Sequence, residues 1–164
     1  MLVVADASPL HYLVLIQHDA ILPALYERVA IPPAVLADLQ HSRTPERVRA
    51  WAAHRPAWLE VRRPRQVLDA RRFPRLGAGE REAIALAQEL QVPLLLIDDA
   101  DGRAEAERRA LTTTGTLGTL EAAAIHGLID LPVALTRLQA TTFRARPELF
   151  QDLLARDAAR KRPM

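Results

Sequence analysis

The chain has 164 residues, no cysteine and a formal net charge of +2, and 49% of its residues are apolar. That length suits one domain, residues 1–164, with a core that needs no covalent staples, and the missing cysteines exclude disulfides and thiolate zinc sites and fit a reducing cytoplasm. No apolar run approaches the ~20 residues of a membrane helix, and no charged leader precedes the first apolar run, so the expectation is a cytoplasmic protein without membrane contact.

Taken in order, Leu2-Val3-Val4-Ala5 is a short uninterrupted apolar run, the pattern of a strand buried on both faces. It runs into Asp6, and Ser8-Pro9 then opens a helix to about Ile16, with Ser8 as cap and proline at the first helical position. Asp6 therefore sits at the carboxyl end of a strand, the edge where open α/β sheets bind ligands. Two readings are open for it, a cap of the turn or a chemical group. A short helix from Asp19 covers Leu22 and Leu25, and Arg28–Ile31 reads as a strand stopped by Pro32-Pro33. The prolines open a helix over 34–40 that carries Asp38. Aspartate has poor helix propensity, so either solvent exposure or a function retains it there.

A helix from Thr44-Pro45 runs through Trp51, and Trp58–Val61 is a short strand. Arginine then crowds the chain: Arg62, Arg63, Arg65, Arg71, Arg72 and Arg75 share a stretch with one acid, Asp69, and one aromatic, Phe73. Lys161 is the single lysine, so 21 of the 22 basic residues are arginine. A guanidinium binds phosphate as a bidentate fork, which makes this stretch a candidate backbone-contacting segment; a solvated loop is the alternative.

Leu76-Gly77-Ala78-Gly79-Glu80 opens a strongly patterned helix through Leu90. Its glycines lack the spacing of a dinucleotide or Walker loop, and Glu80 in the first turn also suits the helix dipole. Pro93–Ile97 is the clearest strand and delivers Asp98-Asp99-Ala100-Asp101 at its end. Three acids in four residues repel unless a positive charge sits among them; Asp101 as cap of a helix over 103–110 accounts for only one. A strand over 111–114 follows, then a helix from Gly115-Thr116-Leu117-Gly118 to His126-Gly127, helices over 132–139 and 147–158, and a basic tail at about 159–164. Alternating strands and helices predict a three-layer α/β/α sandwich with a mainly parallel sheet and a helical C-terminus.

Strand ends and helix starts converge at one sheet edge, and an all-oxygen set of acids selects Mg²⁺ or Mn²⁺ rather than zinc. The five histidines have no metal-ligand spacing, no serine lies in a nucleophile elbow, and the calcium-loop pattern at Asp99 fails at Ile97 and Arg108. The near absence of lysine counts against phosphoaspartate chemistry, and a Toprim-like phosphotransfer fold matches less well because its early strand ends in Glu where this chain has Asp6.

Val-Ala-Asp6-Ala-Ser8-Pro-Leu, Ile-Pro-Pro-Ala-Val-Leu-Ala-Asp38, Gly-Ala-Gly-Glu80, Leu-Leu-Ile-Asp98-Asp99 and Gly-Thr116-Leu-Gly, in this order, resemble the PIN-domain nucleases, and within them the VapC-like branch. The resemblance spans roughly residues 2 to 155. It implies a Mg²⁺- or Mn²⁺-dependent endoribonuclease, the toxin of a type II toxin-antitoxin pair, forming a homodimer and neutralised by a small antitoxin protein that inserts into the acidic cleft. Carried onto this chain, it implies Asp6, Glu80 and Asp99 as metal-holding acids, Asp38 and Asp98 as acids orienting water or a second ion, and Ser8 as the hydroxyl supporting Asp6. Thr116 joins Ser8 as a supporting residue, and the arginines of 62–75 would position RNA. Asp38 is one methylene shorter than the family's usual Glu, and Ala7 replaces a common Thr. The rival expectation is a catalytically inactive PIN-like module that binds RNA or a protein.

Overall fold

The computed structural model describes residues 1–163, whose contacts group into two compact units, Met1–Thr116 and from Leu117 onward. In the first unit the order is β1 (Leu2–Ala5), α1 (Ala7–Leu15), α2 (Ile21–Tyr26), β2 (Arg28–Ile31), α3 (Pro33–Leu39), α4 (Glu46–Ala53), β3 (Leu59–Val61), α5 (Ala78–Leu90), β4 (Leu95–Leu96), α6 (Ala100–Arg108) and β5 (Thr113–Thr114). The five strands form one sheet in the order β3-β2-β1-β4-β5. Every pairing is parallel, so the α/β fold has a wholly rather than mainly parallel sheet.

β1 lies at the centre, and Val3, Val4 and Ala5 are completely buried because neighbours flank it in the sheet and helices cover it. Strand order runs outward one way through β2 and β3, then returns to β4 and β5. The reversal lies between β1 and β4, the point where neighbouring crossovers diverge and leave a crevice beyond the strand ends. Asp6 and Asp98 follow those two strands. The backbone ties them together: the Asp6 N–H donates to the Leu96 carbonyl at 2.8 Å.

Several element boundaries differ from the sequence expectation. α1 starts at Ala7, so Asp6 and not Ser8 occupies the N-cap, and Ser8 lies inside the first turn. α2 begins at Ile21, two residues after Asp19. The run Pro93–Ile97 pairs regularly only over Leu95–Leu96, although Ile97 also donates to the Thr114 carbonyl at 2.8 Å. α6 begins at Ala100 because Asp99, not Asp101, caps it, accepting from the Gly102 N–H at 2.8 Å. The first acid whose side chain can reach back over the helix start satisfies an orphan donor and sets the boundary.

The second unit holds most of α7 (Thr116–Ile125), together with α8 (Leu131–Gln139) and α9 (Pro147–Lys161). Asp130 caps α8 by accepting from the Val133 N–H at 3.1 Å. Glu121 of α7 holds Arg156 of α9 at 2.7 Å, and Phe143 meets Phe150 edge to face at 6.5 Å. α9 runs to Lys161, so the start of the expected basic tail is its last turn, where Arg160 and Lys161 hold the buried Asp157 at 3.3 and 2.7 Å. Cations at a helix C-terminus also meet the negative end of its dipole. No helix among the described residues is long and apolar enough to cross a membrane.

Candidate active site

Asp6 is a buried carboxylate at the end of β1. It is 4% exposed and holds the N-cap position of α1 without a side-chain capping bond. Its acidity reflects that setting. Burial, then the charge of Glu80, raise its pKa from 3.8 to about 8; a hydrogen bond from the Ala7 backbone works the other way, and Asp38 and Asp98 add to the rise. Four acids from four different elements thus share one field, and burial at the centre of the sheet is the largest cause of the rise at Asp6.

Asp98 is positioned by three donors. The Ser8 hydroxyl donates to its Oδ2 at 2.7 Å, the Thr116 hydroxyl to the same oxygen at 2.6 Å, and the Thr116 N–H to Oδ1 at 2.7 Å. Ser8 therefore serves Asp98 on the neighbouring strand end, where the resemblance had implied a bond to Asp6. Thr116 is fully buried. Gly115 before it lets the chain pass close, since a Cβ there would lie 2.5 Å from Asp98 Oδ1.

Asp38 and Glu80 approach from the helices. α3 and α5 pack together, and Gly79 of α5 is where Asp38 and Asp6 come close to its backbone. A Cβ on Gly79 would lie 2.8 Å from Asp38 Oδ2 and 3.2 Å from Asp6 Oδ1, so both carboxylates rest over the same bare backbone. Asp38 is exposed; desolvation of its inner side raises its pKa, His41 opposes the rise and Glu82 adds to it. Glu80 sits in the first turn of α5, with its Cγ 3.4 Å from where a Cβ of Gly102 would be. The same position lies 3.4 Å from Asp99 Oδ2, while the Glu80 carboxylate turns back over Gly77, where a Cβ would lie 2.6 Å from its Oε2. Asp99 is exposed, and that oxygen is the cap of α6.

Asp6, Ser8, His11, Tyr12, Asp38 and Glu80 line one open cavity of about 250 Å³. His11 and Tyr12 were not singled out from the sequence. They enter because α1 presents residues one turn beyond Ser8 to the same space, and their rings lie 4.6 Å apart. Partial burial lowers the His11 pKa. Glu82 was missed as well: its carboxylate accepts from the Ala34 N–H at 3.0 Å and so caps α3, the helix carrying Asp38. Its one sequence signal is that it follows Glu80 by two residues.

The arginines of the β3–α5 connection divide. Arg62 is held by Glu60 at 2.8 Å and Arg65 lies 3.7 Å from Glu89, whereas Arg63, Arg71, Arg72 and Arg75 are exposed and make no ion pair among the described residues. None of the six lines the acidic cavity.

The donor chemistry fits a hard divalent cation: oxygen ligands, no thiol, and a buried carboxylate whose neighbours are acids. Among the described residues no three acids or histidines converge tightly enough to surround an ion.

A parallel sheet with carboxylates gathered at its reversal point defines an α/β protein with an acidic site at its strand ends. The family model of the PIN domain matches residues 2–158, and the chain belongs to the PIN-domain family, whose fold is generally that of hydrolytic nucleases. No curated protein matches the chain.

Proposed function

We propose that the protein is a Mg²⁺- or Mn²⁺-dependent endoribonuclease that hydrolyses RNA phosphodiester bonds, and that it is the toxin of a type II toxin-antitoxin pair. The observation that carries the catalytic reading is Asp6, a carboxylate 4% exposed with Glu80, Asp38 and Asp98 acting on it. Burying an acid among acids is costly, and a divalent cation is the partner that relieves it.

Asp6 and Glu80 are the residues that would hold the ion directly, with Asp38, Asp98 and Asp99 around them. When bound, such an ion lowers the pKa of water and offsets charge developing on the phosphate oxygens. The chain itself orients and excludes. Ser8 and Thr116 fix the Asp98 carboxylate through both of its oxygens, Glu82 anchors the helix that brings Asp38, and Gly79 admits Asp38 and Asp6 to the same spot. Asp38, exposed at the cavity mouth, is placed to orient the attacking water. A homodimer and a small antitoxin that lays a basic side chain into the acidic cavity complete the proposal; the cavity's charge is what such a segment would recognise.

Cleavage of RNA should require Mg²⁺ or Mn²⁺, stop in EDTA, and fall at least about 100-fold in Asp6→Asn, as expected when an acid holding the ion loses its charge. Undiminished cleavage by the variant or in EDTA would sink the metal mechanism. The separation of the acids favours one rival, an inactive PIN-like module that binds RNA or protein. Calorimetric titration with Mn²⁺ separates the two: the nuclease takes up the ion stoichiometrically, the inactive module does not.

A further inference from the structure

The connection between β3 and α5, residues 62–77, carries six arginines and one acid, yet it is pinned to the fold at several points. Pro64 and Leu76 are buried, the Arg65 N–H donates to the Glu89 carboxylate at 2.8 Å, and the Arg81 guanidinium donates to the Leu76 carbonyl at 2.5 Å. It is therefore a fixed strap with a row of exposed cations. Of its arginines, Arg63, Arg71, Arg72 and Arg75 have no acidic partner among the described residues.

Beneath the strap lies a cleft of about 240 Å³, where Arg72, Phe73 and Arg75 face Asp101, Glu105 and Arg108 of α6. Glu105 adds little negative charge there, because Arg108 and Arg109 both bond to it; the Arg109 contact is 2.7 Å. Arg109 also sets its guanidinium 5.4 Å from the centroid of the half-buried Phe73 ring, which holds that ring in place. Asp101 lines the cleft, two residues along α6 from Asp99 and beside Gly102, where a Cβ would lie 3.4 Å from Glu80 Cγ.

We propose that this strap is a track for single-stranded RNA, with Arg72 and Arg75 binding phosphates that flank the scissile one and Phe73 supplying a stacking face for a base. The inference rests on the ribonuclease reading above and adds the binding route. Neighbouring guanidiniums that make no ion pair repel one another, and a polyanion threaded between them removes that repulsion. The aromatic ring selects the single strand, because bases paired in a duplex cannot turn out to stack on a side chain.

Fluorescence anisotropy of a labelled 12-nucleotide single-stranded RNA tests this in an Asp6→Asn background, which leaves the strand uncut. Adding Arg72→Ala and Arg75→Ala should weaken binding by on the order of tenfold and make the slope of log K against log salt shallower by about 1.4, about 0.7 for each phosphate that an arginine no longer neutralises. Phe73→Leu should weaken binding without altering the slope, and Arg62→Ala, which removes an arginine already held by Glu60, should alter neither. Unchanged RNA affinity and slope in the Arg72/Arg75 variant overturn the track, and loss of polyglutamate binding alone would assign the strap to an acidic protein instead. The ribonuclease reading fails separately, if wild-type protein leaves RNA intact with Mn²⁺ present.

Discussion

Asp6 joins deep burial to a place in the acidic cavity. In the unfolded chain its carboxyl ionises near pH 4, whereas in the folded chain it keeps its proton to about pH 8. The native state thus binds more protons than the unfolded one between those values, and the stability Asp6 contributes is complete below about pH 4 and is lost as pH rises through about 8. Without divalent ions the melting temperature should fall between pH 5 and pH 8.5. Asp6→Asn should flatten that fall and stabilise the protein at pH 8 by on the order of a few kcal/mol, even as it removes cleavage. Calorimetric melts across pH give the answer; a wild-type curve as flat as the variant's would show that Asp6 is ionised without penalty. Asp6 and Asp98 were legible as acids at strand ends because the apolar runs before them are continuous. Ser8 was legible only as a local cap. Its bond to Asp98, ninety positions away, belongs to strand pairing and leaves no trace in the residues next to it.

At the level of elements, the site depends on how closely α5 passes beneath α3 and β1. Gly79 is the residue that permits it. In Gly79→Ala the new methyl would lie 2.8 Å from Asp38 Oδ2 and 3.2 Å from Asp6 Oδ1. Asp38 is exposed and can swing away, whereas the buried Asp6 has little room to give, so up to about 1 kcal/mol of helix propensity is offset by crowding and the protein should be no more stable than wild type. Cleavage should drop by at least about tenfold, because Asp38 leaves the pocket. A thermal melt and an RNA-cleavage assay on the same preparation check this, and retained activity would mean that Asp38 does not act from its present position. The types and order of these elements were readable from apolar runs, prolines and glycines. Their exact starts were not. Which of Asp99 and Asp101 caps α6 depends on whose carboxylate reaches an orphan N–H, a matter of a few ångströms.

For the whole molecule, binding of a divalent ion at Asp6 should couple to folding. Saturating Mn²⁺ at about 100 times its dissociation constant should stabilise wild-type protein by about 2.7 kcal/mol at pH 8 and leave Asp6→Asn unmoved. Equal melting shifts in both proteins would place the ion elsewhere. The sequence by itself determined a parallel α/β architecture, because a short strand buried on both faces must be apolar throughout and each helix start leaves a local chemical signature. It also marked Asp6 and Asp98 as acids at strand ends, though not which acid caps each helix. Tertiary structure alone decided which of them act on one another: Asp6, Asp38, Glu80 and Asp98 are joined by strand order and by the close approach at Gly79, and the charge of one is felt by the others only at distances the folded chain creates. It also separated the arginines that Glu60 and Glu89 neutralise from those left free to meet a phosphate, since charge pairing depends on which strands and helices become neighbours.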